Sequence, residues 1–329
     1  MAPDTTERAE LHAHLGSSVD PVIMWSIAHE QGIRLPSKDY WDFEDLITMS
    51  PSERNSDIEQ MTNNYFLMTQ LIQSSPQAIE ASVHSVIGGG YRKCNLVLQE
   101  LRFNPMRRNR AGERDLDHTI LAGLWGMRRA LLEYPQVKAG IILEIDRTFT
   151  IEQNTVIVDK AIKYAHDGIV GIDLSGPKRD TFSIEAHAPL FQKARAAGLG
   201  ITAHTGEEGT LDEMRYIVET IKPDRIGHGV LAATDSEFLK VLGASGITLE
   251  ICPTSNIKNS IFPSVDALRT AYQTLQSAGV KLTVNTDGPE MYRTNIIKEE
   301  EFLRTENICT DAEITAWRDN AFAASFVPK

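Results

Sequence analysis

Six short segments carry the residues of this chain that are able to perform metal or acid–base chemistry. Along the 329 residues they read LHAHLG, GIDLSG, HTGE, RIGHG, EICPTSN and NTDGP. In the first of them, His12 and His14 are two positions apart, and alternate side chains of a β-strand lie on the same face. Both imidazoles can therefore bind one ion from a single strand. A lone His-x-His pair is a weak signal, so its support must come from the other five segments.

Each of the six segments stands at the end of a predicted β-strand. Eight strands are predicted from short apolar or β-branched runs, at residues 9–15, 95–103, 138–146, 168–175, 199–204, 224–228, 247–252 and 281–286. Helical patterns lie between them, and several end at a glycine. Eight alternations of strand and helix predict an α/β fold, a (β/α)8 TIM barrel. Its active-site residues are expected at the C-terminal ends of the strands.

A long interval follows the first predicted strand. A crossover needs about a dozen residues, whereas the residues at about 20–93 contain several helical patterns, among them WDFEDLITM and DIEQMTNNYFLMTQLIQ. We expect a helical insertion above the barrel mouth, within one domain that spans residues 1–329. The insertion either packs as structure or forms a lid that excludes water and lines the pocket. The lid residues to test first are Phe43, Leu46, Ile47 and Met49.

Composition narrows the class of protein. The chain is 42% hydrophobic without a long apolar run, and MAPDTTERAE leads directly into the first strand, so neither a membrane span nor a secretory signal is expected. Its three cysteines, Cys94, Cys252 and Cys309, are too widely spaced for a disulfide framework or a zinc ribbon, which favours the cytoplasm. A net charge of −12 argues against a nucleic-acid partner and favours a small molecule. The sequence makes no prediction of oligomeric state.

The types of the candidate ligands indicate a catalytic metal. Imidazoles and one carboxylate, without cysteine, suit a Zn²⁺ ion that keeps one position open for water, whereas closed structural sites favour thiolates. We therefore predict that His12, His14, His204 and Asp287 bind one zinc ion per chain. Water bound in this way has a pKa near 7 instead of about 15.7.

Two further residues are predicted to move protons. His228, on the sixth strand, can take the proton from that water or stabilise the hydroxide. Glu207 lies three residues after His204, so it is expected at the same barrel mouth, where it can act as a general acid. For that role a closed pocket must raise its pKa. Together with Asp287 these are the predicted catalytic residues. Each also has a simpler explanation, as a hydrogen-bonded polar residue at a strand end or, for Asp287, as a helix N-cap. Six such coincidences at one face are less probable than one site.

The same segments resemble those of the adenosine deaminase family, within the metal-dependent amidohydrolase superfamily. The resemblance runs from the first strand to NAFAASF near the end, and ELRFNP and the helical insertion match as well. The combination of HTGE, RIGHG and EICPTSN is its most specific part. It implies the zinc ligands already named, with Glu207 donating a proton to purine N1 and His228 positioning the hydroxide that attacks C6. It also implies that the backbone N–H of Gly176 contacts N3.

Three positions depart from the family pattern and bear on the substrate. Gly16 stands where an Asp usually contacts the ribose 5′-hydroxyl, Gly288 stands where a second Asp accepts a hydrogen bond from N7, and Pro177-Lys178 replaces a common acidic pair. We count Gly16, Gly288, Gly176 and Asp173 as substrate-binding positions, although Asp173 could instead orient a neighbour by hydrogen bonding.

The predicted function is hydrolytic deamination of a 6-aminopurine nucleoside, or a related 6-amino ring, to the 6-oxo product and ammonia. The first alternative is a modified adenosine or adenine-type substrate that needs no N7 contact. The second is another mononuclear amidohydrolase; a binuclear one is disfavoured because GIVGIDLSG and GLGITAHTGE contain no lysine that could bridge two metals. The third is a ligand-binding relative without turnover.

Overall fold

Eight parallel β-strands form the centre of the molecule, in a computed structural model that describes residues 5–55, 57, 60, 62–109 and 115–328. They are β1 (Arg8–His14), β2 (Leu96–Phe103), β3 (Lys138–Asp146), β4 (Ile169–Ser175), β5 (Gly200–Thr205), β6 (Arg225–His228), β7 (Thr248–Ile251) and β8 (Lys281–Val284). Each strand pairs with the next one in chain order. Almost all strand residues are buried, as expected for apolar strands covered by helices. The predicted (β/α)8 barrel is confirmed.

The barrel closes between β1 and the segment that follows β8. Ala13 and Asp287 form an isolated parallel bridge. The N–H of His14 donates to the carbonyl of Asp287 at 2.9 Å, and the N–H of Asp287 donates to the carbonyl of His12 at 2.8 Å. Because this bridge lies at the C-terminal end of the barrel, it brings His12, His14 and Asp287 side by side.

Helices cover the barrel and fill the interval after β1. In chain order they are α1 (Leu15–Ser18), α2 (Pro21–Glu30), α3 (Tyr40–Ile47), α4 (Leu67–Ile72), α5 (Pro76–Cys94), α6 (Asp117–Glu133), α7 (Ile151–Lys163), α8 (Ile184–Ala196), α9 (Leu211–Tyr216), α10 (Ser236–Ser245), α11 (Pro253–Lys258), α12 (Val265–Ser277), α13 (Ile296–Thr305) and α14 (Asp311–Ala324). Capping boxes start two of them, with Thr150 before α7 and Thr310 before α14. In the described part of the chain, no helix is long and apolar enough to cross a membrane.

The interval between β1 and β2 holds helices α1 to α5. The predicted pattern DIEQMTNNYFLMTQLIQ includes residues 58, 59 and 61, which lie outside the described residues. Its remainder forms a π-helical turn at Thr62–Phe66 and continues into α4. Helix α5 ends at Cys94 and is capped by Asn95, which has a positive φ of 51° and directs the chain into β2.

The four residues that we expected first in a lid do not line the central cavity. Phe43 and Ile47 lie on the buried face of α3 and belong to the main hydrophobic core. Met49 is buried in a small cluster that includes Tyr65, while Leu46 is exposed. The apolar face of α3 therefore packs inward on the other helices, which is the structural role expected as one alternative, and a lid function of the insertion stays a prediction.

The C-terminal segment closes the opposite end of the barrel, at the N-terminal ends of the strands. The guanidinium carbon of Arg225 lies 3.6 Å from the centre of the Phe326 ring. Glu100 accepts a hydrogen bond from the N–H of Phe326 at 2.6 Å and forms an ion pair with Arg225 at 2.6 Å. A Cβ at Gly200 would collide with the Phe326 ring, so a glycine is required there. Part of NAFAASF thus seals the barrel floor, away from the site.

Candidate active site

Three histidines at the C-terminal end of the barrel share one arrangement. Each directs its Nδ1 atom at a buried carboxylate of a strand. The pairs are His12 with Glu250 at 2.7 Å, His14 with Glu144 at 2.7 Å and His204 with Asp173 at 3.0 Å. A carboxylate accepts a hydrogen bond at Nδ1, so the proton of each neutral ring lies there and Nε2 keeps a lone pair.

The Nε2 atoms of these rings converge on one point. Nε2 of His14 lies 3.1 Å from Nε2 of His204 and 3.4 Å from Oδ1 of Asp287. Nε2 of His12 is buried, has no hydrogen-bond partner among the described residues, and lies 3.8 Å from Oδ1 of Asp287. Lone pairs and a carboxylate at such distances repel one another unless a cation lies between them. This donor set of imidazoles and one carboxylate therefore fits a divalent metal ion.

The potential ligand atoms form two overlapping sets. His12, His14 and Asp287 make one set, and His12, His204 and His228 make the other; within each set the atoms lie within 4.8 Å of one another. His12 belongs to both sets, and the contact between His14 and His204 joins them. All five residues therefore surround a single centre.

Arg102 forms ion pairs with two of the carboxylates that orient the histidines. Its guanidinium is completely buried and donates to Asp173 at 2.9 Å and to Glu250 at 2.8 Å. Burial alone would raise the pKa of both acids, but the adjacent cations hold the pKa of Asp173 and of Glu250 below their usual values. Both acids thus stay ionised and keep His204 and His12 in the orientation that a metal ligand needs.

His228 and Glu207 face each other at the edge of the metal centre. Nδ1–H of His228 donates to Oδ1 of Asn256 at 2.8 Å, which leaves Nε2 as an acceptor, 3.3 Å from Oε2 of Glu207. Burial lowers the pKa of His228, so the ring is a neutral base. Burial, together with the charge of Asp287, raises the pKa of Glu207 to about 7. The pair thus combines a base with a carboxylic acid that can be protonated near neutral pH.

The backbone is strained at two of these residues. His228 and Asp287 have φ values of 62° and 63°, in the left-handed region that residues with a Cβ seldom adopt. Asp287 is held by the bridge to β1 and by Ser255, whose hydroxyl donates to Oδ2 at 2.6 Å. Such conformations cost of order 1–3 kcal/mol each and persist where the surrounding structure enforces them, as at functional sites.

A cavity opens above these potential metal ligands. It is lined by residues of the loops that follow the strands and by Phe66 and Gln70 of the insertion. The insertion thus does reach the pocket, through the π-helical turn and α4 rather than through α3. His14, His204, Glu207, His228 and Asp287 lie at the floor of this cavity, where a substrate atom can approach them.

Two of the four predicted substrate-binding positions line this cavity and two do not. Gly16 and Gly176 line it, and Gly176 has a φ of 85° with Asp146 where a Cβ would be. Asp173 is completely buried and its oxygens are engaged by His204 and Arg102, so it orients a neighbour. Gly288 is also buried, because Ser17 fills the space that a side chain at 288 would need.

Several residues that support the site were not among the sequence candidates. Glu144 and Glu250 orient histidines, Asn256 orients His228, and Asn259 donates to Glu207 at 3.3 Å. A signal for the two acids did exist, because a charged side chain within a buried apolar strand requires a partner. Asn256 lies in the EICPTSN segment itself, and Asn259 lies three residues beyond it.

Comparisons with known proteins agree with this geometry. The family model for adenosine deaminase matches residues 7–329. The chain is 28% identical to an adenosine deaminase of Clostridium kluyveri, over 98% of this chain and 90% of that protein, and 28% identical to an adenine deaminase of Rhizobium leguminosarum bv. trifolii, over 98% and 95%. An amidohydrolase of Burkholderia ambifaria with bound Zn has the same fold, with a TM-score of 0.84, 21% identity and coverage of 98% of this chain and 86% of that chain. The chain therefore belongs to the adenosine deaminase family and is a hydrolytic deaminase.

Proposed function

We propose that this protein uses one zinc ion to deaminate a 6-aminopurine nucleoside or a related 6-amino ring, with release of ammonia. The observation that carries the proposal is the convergence of three imidazole Nε2 atoms and the Asp287 carboxylate below an open cavity. His12, His14, His204 and Asp287 would hold the ion. Bound there, zinc would supply a Lewis acid that acidifies a water molecule.

The residues of the chain divide the proton transfers between them. Neutral His228, whose Nε2 accepts, takes the proton of the water whose oxygen forms a bond to C6. Protonated Glu207 donates its proton to ring N1, which makes C6 more electrophilic. The bond from C6 to the amino nitrogen then breaks, and the amino group leaves as ammonia with the proton returned from His228. The remaining proton of the C6 hydroxyl passes to the Glu207 carboxylate, which gives the 6-oxo product and restores the acid.

Substrate binding is assigned to the glycines of the cavity wall. The backbone N–H of Gly176 is proposed to bind purine N3, and the left-handed conformation of this residue brings the backbone to the cavity surface. Gly16 leaves room where a larger side chain would narrow the cavity. Because Gly288 lies behind Ser17, no contact with N7 is proposed at that position.

We also propose that the partner is a small molecule in the cytoplasm. All three cysteines, Cys94, Cys252 and Cys309, are free and buried, which suits a reducing compartment. A net charge of −12 opposes binding to a nucleic-acid backbone, so a nucleoside-sized molecule is the better partner.

Ammonia release from a panel of 6-amino compounds tests the function. The panel contains adenosine, adenine, deoxyadenosine, AMP, aminodeoxyfutalosine and 7-deazaadenosine, each incubated with zinc-loaded protein and with the Glu207→Gln variant as a blank. We expect turnover of at least one purine by the wild-type protein and a rate about 10²- to 10⁴-fold lower in the variant. If the wild-type protein releases no ammonia from any compound of the panel, the purine assignment is wrong.

A further inference from the structure

Arg108 is a buried cation in the wall of the catalytic cavity. It ends the short 3₁₀ turn Met106–Arg108 that follows β2, and only 3% of its surface is exposed. It lines the same cavity as His14 and His204. An arginine in this position has lost most of its hydration, which is unfavourable unless an anion compensates for it.

Within the described part of the chain, Arg108 contacts only neutral groups. Its Nε and Nη2 donate to Oε1 of Gln73 at 3.3 and 3.1 Å, and Nη1 donates to the carbonyl of Asn104 at 3.2 Å. The guanidinium carbon lies 5.3 Å from the centre of the Phe103 ring. A guanidinium has five N–H groups, so one N–H on Nη1 and one on Nη2 remain available after these bonds. Among the residues described, no carboxylate forms an ion pair with it.

The electrostatic surroundings leave this charge poorly compensated. Burial lowers the pKa of Arg108 to about 10, and the like charge of Arg107 acts in the same direction. Glu144 opposes the shift, but its carboxylate is engaged with Nδ1 of His14 at 2.7 Å. The guanidinium remains charged at neutral pH, in a position where a further anion would stabilise it.

The other two arginines of the cavity wall, as far as the described residues go, already have carboxylate partners. Arg107 donates to Asp146 at 2.6 Å, and Arg147 donates to Glu213 at 2.8 Å. Arg108 therefore differs from its neighbours although it lines the same wall. A structural role alone does not explain why Arg108 lacks a carboxylate partner, because a carboxylate would also stabilise an arginine that served only in packing.

Gly16 lies beside Arg108 in the wall of the cavity. A Cβ at position 16 would lie 3.4 Å from Nη2 of Arg108 and 3.0 Å from Oγ1 of Thr69. Any side chain at this position would thus lie against the guanidinium. With glycine, no side chain of residue 16 stands between Nη2 and the cavity that both residues line.

We propose that Arg108, next to Gly16, forms an anion-binding subsite, so that the substrate is a 6-aminopurine derivative that carries a phosphate or carboxylate group. The inference rests on the proposed function for the purine part of the ligand. Two N–H groups on one planar guanidinium match two oxygens of either anion. The subsite therefore selects a charged substrate over the neutral nucleoside.

Calorimetric titration of the zinc-loaded wild-type protein with adenosine, AMP and adenosine-5′-carboxylic acid tests the subsite. We expect AMP, the carboxylate or both to bind roughly tenfold to 100-fold more tightly than adenosine, and the stronger of the two identifies the anion. In Arg108→Gln this preference should fall to about one. Arg128→Gln is the matched control, because it removes the same charge from an exposed surface pair with Asp167.

A second variant keeps the test decisive if Arg108→Gln does not fold. Gly16→Asp places a carboxylate against Nη2 and should weaken binding of the anionic ligand while adenosine is affected less. Equal affinities for adenosine and both anions in the wild-type protein would overturn the subsite, even with ammonia release intact. Anion-selective binding without ammonia release would overturn the proposed function alone, and absence of binding by all three compounds would overturn both.

Discussion

Nε2 of His14 lies 3.1 Å from Nε2 of His204, and each ring donates a hydrogen bond from Nδ1 to a carboxylate. With the protons held at Nδ1 by Glu144 and Asp173, two lone pairs face each other in a buried place. A cation between the two Nε2 atoms would remove the repulsion between these lone pairs. The strands of the barrel thus fix a geometry that fits a divalent metal ion.

The first prediction concerns the orientation of His204 by Asp173. Asp173→Asn removes the negative charge that holds the Nδ1 proton, and we expect zinc affinity to fall about 10- to 100-fold. Competition with a chromogenic chelator measures this change. Asp235→Asn serves as the control, since Asp235 caps α10 and asparagine caps equally well. Zinc affinity equal to that of the wild-type protein in Asp173→Asn would refute the orienting role.

The second prediction concerns the pH dependence of turnover. A general acid must be protonated, and burial raises the pKa of Glu207 to about 7. We therefore expect kcat to be constant below that pH and to fall about tenfold per unit above it. In Glu207→Gln this decline should disappear while the rate drops at every pH. A decline that persists in the variant, or one that is centred near the ordinary pKa of glutamate, would assign it to another group.

The third prediction concerns stability. Glu299 is completely buried, accepts hydrogen bonds from the N–H of Thr254 and the hydroxyl of Thr294, and has a pKa raised to about 7 by burial. A carboxyl whose pKa is higher in the folded state favours folding most below its unfolded pKa, near 4.5. That contribution is lost as the pH rises through about 7.

Urea unfolding at pH 5 and pH 8 measures this contribution. We expect the free energy of unfolding to fall by about 2 kcal/mol more in the wild-type protein than in Glu299→Gln. Glu237→Gln is the control, because Glu237 lies on the surface and pairs with Lys240. If Glu299→Gln shows the same decrease as the wild-type protein, Glu299 is not the group that titrates.

Most of the barrel could be predicted from the sequence because its strands are buried on both faces and read as apolar runs. Strand β3 was predicted at the bounds that it has, Lys138–Asp146. Strand β8 was predicted two residues too long, because residues 285 and 286 leave the ladder before the bridge to β1 forms. The insertion could be predicted from its helical patterns, but an apolar helix face indicates only that the face is buried and does not show which residues it packs against.

The site was only partly predictable for a related reason. Histidines at strand ends stand out because they interrupt apolar runs, and their convergence follows from a parallel barrel. Arg108 has no such signal. Its burial depends on Gln73, which accepts its hydrogen bonds, and on Gly16, which lies beside its guanidinium. Both residues are distant from Arg108 in the sequence, so their proximity follows only from the fold.

The metal content of the purified protein tests the central claim most directly. After zinc loading and removal of free metal, elemental analysis of the wild-type protein should find one zinc ion per chain. The same analysis of His14→Ala and His204→Ala, each shown to be folded by circular dichroism, should find far less. Wild-type protein that holds no zinc, or folded variants that still hold one ion per chain, would contradict the convergence of these side chains on a single cation.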